Sequence, residues 1–89
     1  MLAVITVTGK DTVGVLAKVS GECAEMGANI IDVSQTVMQG LFAMIMMVDI
    51  DHINCDFTEM VDRLDALGQG MGYVIHTMHE DIFNAMHKI

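Results

Sequence analysis

Basic residues are scarce in this chain: four Lys and Arg stand against twelve Asp and Glu, for a formal charge of −8. Such a balance repels phosphate backbones and anionic lipid alike, so neither nucleic acid nor a membrane surface is an expected partner. Long apolar runs are missing as well. The longest, Leu41 to Val48, is eight residues, far short of the ~20 that a membrane-spanning helix needs. The N-terminus carries no basic region, long apolar stretch or small-residue cleavage site, and the chain reads as soluble and cytoplasmic. Cysteine is limited to Cys23 and Cys55, which make no disulfide framework in the absence of a secretory signal. Cys23 falls on the apolar stripe of a helix and reads as a buried thiol. Cys55 precedes a helix start whose dipole would lower its pKa, but Asp51 and Asp56 nearby oppose that, so no reactive cysteine is expected.

Apolar side chains, by contrast, are abundant. The 89 residues are 53 % hydrophobic, with a mean hydropathy of +0.50. A domain of this length holds one core and buries only about 60 % of its unfolded surface. The excess apolar surface points to an oligomer interface, most simply a homodimer.

Read in order, Leu2 to Thr8 is a strand with Ala3, Ile5 and Val7 on one face and Leu2, Val4, Thr6 and Thr8 on the other. Apolar on both faces, it suits the middle of a sheet. A helix follows, capped by Asp11 or Thr12, with Val15, Leu16, Val19, Cys23 and Met26 at helical spacing and Gly27 at its C-terminal end. Ile30 to Met38 carries polar residues among its β-branched ones and suits an edge strand. Gln39-Gly40 is a tight turn. Leu41 to Val48 then has no polar side chain, with Phe42, Met44, Met46 and Val48 on one face and Ala43, Ile45 and Met47 on the other, and should be buried on both.

Asp56-Phe57-Thr58-Glu59 has the spacing of a capping box, with Asp as the cap. Phe57, Met60, Val61, Leu64 and Leu67 form the stripe of a second helix ending at Gly68. Gly68 to Gly72 reads as a loop, Tyr73 to His79 as a fourth strand, and Asp81 to Lys88 as a short helix with Ile82, Phe83 and Met86 on one side, continued by Ile89. Strand, helix, strand, strand, helix, strand is the ferredoxin-like βαββαβ arrangement of the α+β class: a four-stranded antiparallel sheet with two helices on one face and a short C-terminal helix. Its central strands are the first and third, the two most apolar. The outward Ala43, Ile45 and Met47 then need cover from a second copy or from the terminal helix.

The stretch most like a site is Gly9-Lys10-Asp11-Thr12-Val13-Gly14, between the first strand and the first helix. It aims backbone N–H groups and a helix N-terminus at one spot, where a small anionic group can be held. The Gly9 to Gly14 spacing matches the opening of a P-loop, but Val15-Leu16 replaces the Lys-Ser/Thr pair, which excludes nucleotide triphosphate binding by that route. Gly68, Gly70 and Gly72 precede a strand instead of opening a helix, so they make no dinucleotide fingerprint. His76 and His79 point to opposite faces of an extended strand and would chelate a metal only if the strand ended between them, with Glu80 and His87 joining from the terminal helix. No metal or other cofactor is expected. The ten methionines mostly fall on apolar stripes and read as core. Ser20 and Ser34 have no neighbouring histidine, and catalysis is not expected.

Asp11-Thr12-Val13-Gly14-Val15-Leu16 opening a helix, followed by Gly27-Ala28-Asn29-Ile30 opening an edge strand, resembles the pattern of an ACT domain, D-x-x-G-x-L and G-x-N-I in a βαββαβ frame. The resemblance covers residues 1 to about 79. With the tail Glu80-Asp81-Ile82-Phe83-Asn84-Ala85-Met86-His87, the chain is similar to the small stand-alone ACT proteins of the UPF0237 group and to the first half of the glycine cleavage system repressor. Residues 1–79 are thus expected to be the ACT domain, and 80–89 its helical extension. The family's frequent proline before the loop glycine is Val13 here.

This resemblance implies regulation by a small amino acid or related metabolite enclosed between two copies. Asp11, Thr12, Val13, Gly14 and Val15 of one copy would face Asn29 and Ile30 of the other. Helix N-terminal amides suit an α-carboxylate, and Asp11 or the Asn29 amide oxygen can accept from an α-ammonium. A purely structural reading of the same residues stands beside it: Gly14 relieving a tight junction, Asp11 capping, Asn29 serving a turn. The functional alternative is a ligand-free adaptor whose apolar sheet face or edge strand docks a partner protein, a metabolic enzyme or a transcription regulator.

Overall fold

The computed structural model describes residues 1–10 and 14–86. Seven elements follow one another: β1 (Leu2–Lys10), α1 (Val15–Met26), β2 (Asn29–Met38), β3 (Leu41–Asp49), α2 (Phe57–Met71), β4 (Val74–His79) and α3 (Glu80–Met86). The strands form one antiparallel sheet in the order β2-β3-β1-β4. The two most apolar strands are therefore its centre, β2 is an edge, and the architecture is the expected ferredoxin-like one.

Side-chain alternation selects the core. Ala3, Ile5 and Val7 of β1 and Phe42, Met44, Met46 and Val48 of β3 are buried on one sheet face, beneath Val15, Val19, Cys23 and Met26 of α1 and Met60 and Leu64 of α2. Each large apolar side chain fully buried there contributes about 1.5–3 kcal/mol. The two helices are tied to each other by Arg63 of α2, whose guanidinium lies 2.9 Å from the Glu22 carboxylate and 3.4 Å from that of Glu25 on α1.

On the second face the expectation for β3 is met only in part. Ile45 is 44 % exposed in the single chain, so β3 is buried on one side and not on both. Val4 is buried on this face, under α3, which packs against β1 and β4.

Several element ends differ from those expected. β1 runs through Gly9 and Lys10, which pair with Phe42 and Leu41, so these two residues belong to the strand and not to the loop. α2 does not stop at Gly68 but continues to Met71, and Gly72, at φ 77°, is its cap. The residues expected as a glycine-rich loop are the helix's last turn. Gly68 is buried there, and a Cβ on it would sit 2.8 Å from both the Tyr73 carbonyl oxygen and a side-chain carbon of Ile75. Glycine is needed because the helix touches β4, not because the helix ends.

Asp56 stands at the N-cap of α2 but makes no side-chain cap hydrogen bond, so the expected capping box is not formed on that side. α3 starts at Glu80, directly after β4, and buries none of its residues. Ile82 and Met86 are exposed. Ile89 and Lys88 of the expected terminal helix, and His87, lie outside the described residues, as do the cap candidates Asp11 and Thr12 and their neighbour Val13.

Candidate ligand site at the first strand-to-helix junction

The junction is built from below by one aromatic side chain. Tyr73, between α2 and β4, is 4 % exposed, and its ring lies so close under Gly9 that a Cβ there would approach it to 2.7 Å. The ring meets Phe42 edge-on, with centroids 6.1 Å apart, and its hydroxyl donates to the backbone carbonyl of Lys10. The last residue of β1 before the loop is thus held by a part-buried hydrogen bond. Tyr73 reads from sequence only as the start of a strand. The available signal was that the chain has a single tyrosine and that a glycine precedes the loop.

Beyond the loop, Gly14 is the N-cap of α1 at φ 88°. A Cβ there would meet nothing within 4 Å, so the demand for glycine is conformational and not steric. Its carbonyl accepts the first helical bond from the Lys18 amide at 3.0 Å. Gly14 has no side chain to occupy the first-turn N–H groups, and no acidic residue lies in that turn. Among the described residues, no carboxylate in the first turn neutralises the positive end of α1. Val15 is buried and anchors the turn to the core.

Asn29 and Ile30 lie elsewhere. Gly27 closes α1, donating to the Ala24 carbonyl, and Ala28 donates to that of Cys23. Asn54 fastens the same corner, its amide group donating to the Glu25 carbonyl at 2.9 Å. Asn29, exposed, then opens β2 opposite Asp49, and the pairing slips between Ile30 and Asp32, leaving Ile31 bulged and 51 % exposed. Lys10 pairs with Leu41 whereas Asn29 pairs with Asp49. The two parts of the expected site are therefore at opposite ends of the sheet, separated by the length of α1, about 18 Å for twelve residues at ~1.5 Å each. One chain brings Gly14 and Val15 together and does not bring Asn29 and Ile30 to them.

Other sequence candidates resolve simply. β4 extends to His79, so His76 and His79 remain on opposite faces; His79 stacks on Phe57 with ring centroids 4.0 Å apart, while His76 is exposed. Among the described residues no three His, Cys, Asp or Glu side chains are grouped as for a metal ion. Burial, with the Glu22 carboxylate adding to it, pushes the Cys23 thiol up to about 11, so it stays protonated at neutral pH. Among the described residues no helix is long and apolar enough to cross a membrane.

An antiparallel four-stranded sheet in the order β2-β3-β1-β4, backed by two helices, defines a ferredoxin-like domain. The sequence pattern of the ACT domain matches residues 1–77. The chain belongs to the ACT domain family, a family of regulatory domains, and within it to the UPF0237 group. It is 51 % identical over 89 residues to the UPF0237 protein of Listeria innocua, covering 100 % of both chains. Its structure is similar to an ACT domain protein from Streptococcus pneumoniae, with a TM-score of 0.82 and 44 % identity over 98 % of each chain. The crystal structure of a putative glycine cleavage system transcriptional repressor is also similar, with a TM-score of 0.74 and 25 % identity over 85 % of this chain and 43 % of its own.

Proposed function

We propose that this ACT domain is a non-catalytic regulatory sensor that binds an amino acid or a related small metabolite at a site shared by two copies of the chain. The loop residues Asp11, Thr12 and Val13, with Gly14 and Val15, belong to one copy. Asn29 and Ile30 come from the other.

The observation that carries this reading is the arrangement of the edge strand. β2 is ten residues long and exposed along most of its length, the kind of edge that pairs with another strand. It starts at the Asn29 end of the sheet and finishes at Met38, beside Leu41 and hence at the end where β1 leads into the loop. Two β2 strands paired antiparallel about a two-fold axis would set the Asn29 of each copy at the loop end of the other. First-turn amides would take the α-carboxylate, and the Asn29 amide oxygen would accept from the ammonium.

Thermal unfolding with each common amino acid in turn tests the reading. A ligand at a hundred times its Kd stabilises by about 2.7 kcal/mol, which for a domain of this size raises the midpoint by roughly ten degrees or more. A selective rise is expected, lost in the variant combining Asp11→Ala and Asn29→Ala. A rise that survives the double substitution would show the site to be elsewhere, and a flat response to the whole panel would contradict sensing.

A further inference from the structure

Side-chain alternation decides what stands beside Asn29. Ile30 of β2 and Val48 of β3 pair with each other, Val48 buried in the core and Ile30 packed against it. One residue nearer the end of the sheet, Asn29 and Asp49 are again directly opposite, and the pleat turns both to the other face. The Cβ atoms of such a pair lie ~4.5–5.5 Å apart. This register is fixed, because a slip of one residue would turn the polar pair inward in place of Ile30 and Val48.

Both residues are held from behind. Asp49 Oδ1 accepts from the Asp51 amide at 2.9 Å, and Asn29 follows directly on the corner that Gly27, Ala28 and Asn54 fasten. Asn29 is exposed and Asp49 half-buried, so a small molecule can reach both. The Met1 ammonium is taken by Asp51. Among the described residues the Asp49 carboxylate contacts no basic group.

On the sensing reading proposed above, on which this assignment rests, we infer that Asp49 is a further ligand-binding residue, its carboxylate holding the α-ammonium of an amino acid together with the Asn29 amide oxygen. The ligand class narrows accordingly to amino acids with a free α-ammonium. An amide oxygen alone separates an ammonium from a hydroxyl poorly, since either can donate to it. A carboxylate adds charge: its hydrogen bond from an ammonium is roughly twice as strong as a neutral one. The ligand is then read at both ends, its carboxylate by the first turn of α1 and its ammonium by the Asn29–Asp49 pair.

Calorimetric titration of the full chain tests this with each common amino acid beside the α-hydroxy acid of the same side chain, in which a hydroxyl replaces the ammonium. Asp49→Asn keeps the size of the side chain and an oxygen to accept from Asp51, so it is expected to retain the wild-type circular dichroism. Asp32→Asn is the control for general loss of negative charge, since Asp32 lies opposite Met47 on the same face. The wild type should bind the responsive amino acid about tenfold or more tightly than its α-hydroxy acid, and Asp49→Asn should weaken the amino acid by a similar factor. Asp49→Asn should not weaken the α-hydroxy acid, and Asp32→Asn should change neither affinity by more than about twofold. Amino-acid affinity unchanged in Asp49→Asn, or lowered equally in Asp32→Asn, would overturn the assignment and leave the sensing reading standing. So would an α-hydroxy acid that binds the wild type as tightly as the amino acid, a result that needs no variant. A wild type that binds no amino acid would overturn both.

Discussion

Tyr73 does more for the candidate site than any side chain within it. Its ring replaces the missing Cβ of Gly9, and its hydroxyl holds the Lys10 carbonyl one residue before the loop. Removing the hydroxyl alone leaves that carbonyl without this partner while the packing against Phe42 persists. Tyr73→Phe is therefore expected to cost about 1 kcal/mol, a fall of roughly 4–8 °C in the unfolding midpoint, and to weaken binding at the loop as well. An unchanged midpoint in a melting experiment would mean that the bond contributes nothing in solution. Cys23, by contrast, has no chemistry to offer: buried under α1, its thiol stays neutral well above physiological pH.

Among the elements, α2 separates two uses of glycine that look alike in sequence. Three glycines in five residues, Gly68, Gly70 and Gly72, read as a loop because each costs a helix about 1 kcal/mol relative to alanine. The helix nonetheless continues, since only Gly72 has the left-handed backbone of a cap, and Gly68 is required where the helix presses on β4. That contact is between segments distant from the pattern being read, so no local periodicity reveals it. Gly68→Ala should destabilise the protein by about 1–3 kcal/mol through overpacking. Gly70→Ala, where a Cβ meets nothing within 4 Å, should stabilise it by about 0.5–1 kcal/mol. Chemical denaturation of the two variants checks both signs, and a loss of similar size in both would contradict the packing account. Elements whose pattern is local are legible: the alternation in β3, the stripe on α2 up to Leu67, and the Gln39-Gly40 turn all lie where the sequence indicates.

At the scale of the whole molecule, sheet order follows from hydrophobicity. β1 and β3 are apolar on both faces and occupy the centre, while the mixed polarity of β2 fits its edge. The candidate site is legible only as two pieces. Gly14 and Asn29 each stand at an element boundary that glycine and asparagine chemistry makes visible, but the fold sets them at opposite ends of the sheet, and their reunion through a second copy is the step we propose beyond the single chain. The central claim is that reunion.

Its most direct test is binding stoichiometry in a defined heterodimer, one chain carrying Asp11→Ala and the other Asn29→Ala, co-expressed with different tags and purified through both. Each variant alone should bind no ligand from the responsive class found by thermal unfolding. In the heterodimer, one site combines both substitutions and the other combines an intact loop with an intact Asn29, so calorimetry should find one ligand per dimer where the wild type binds two. A heterodimer that binds none would contradict a site shared between chains.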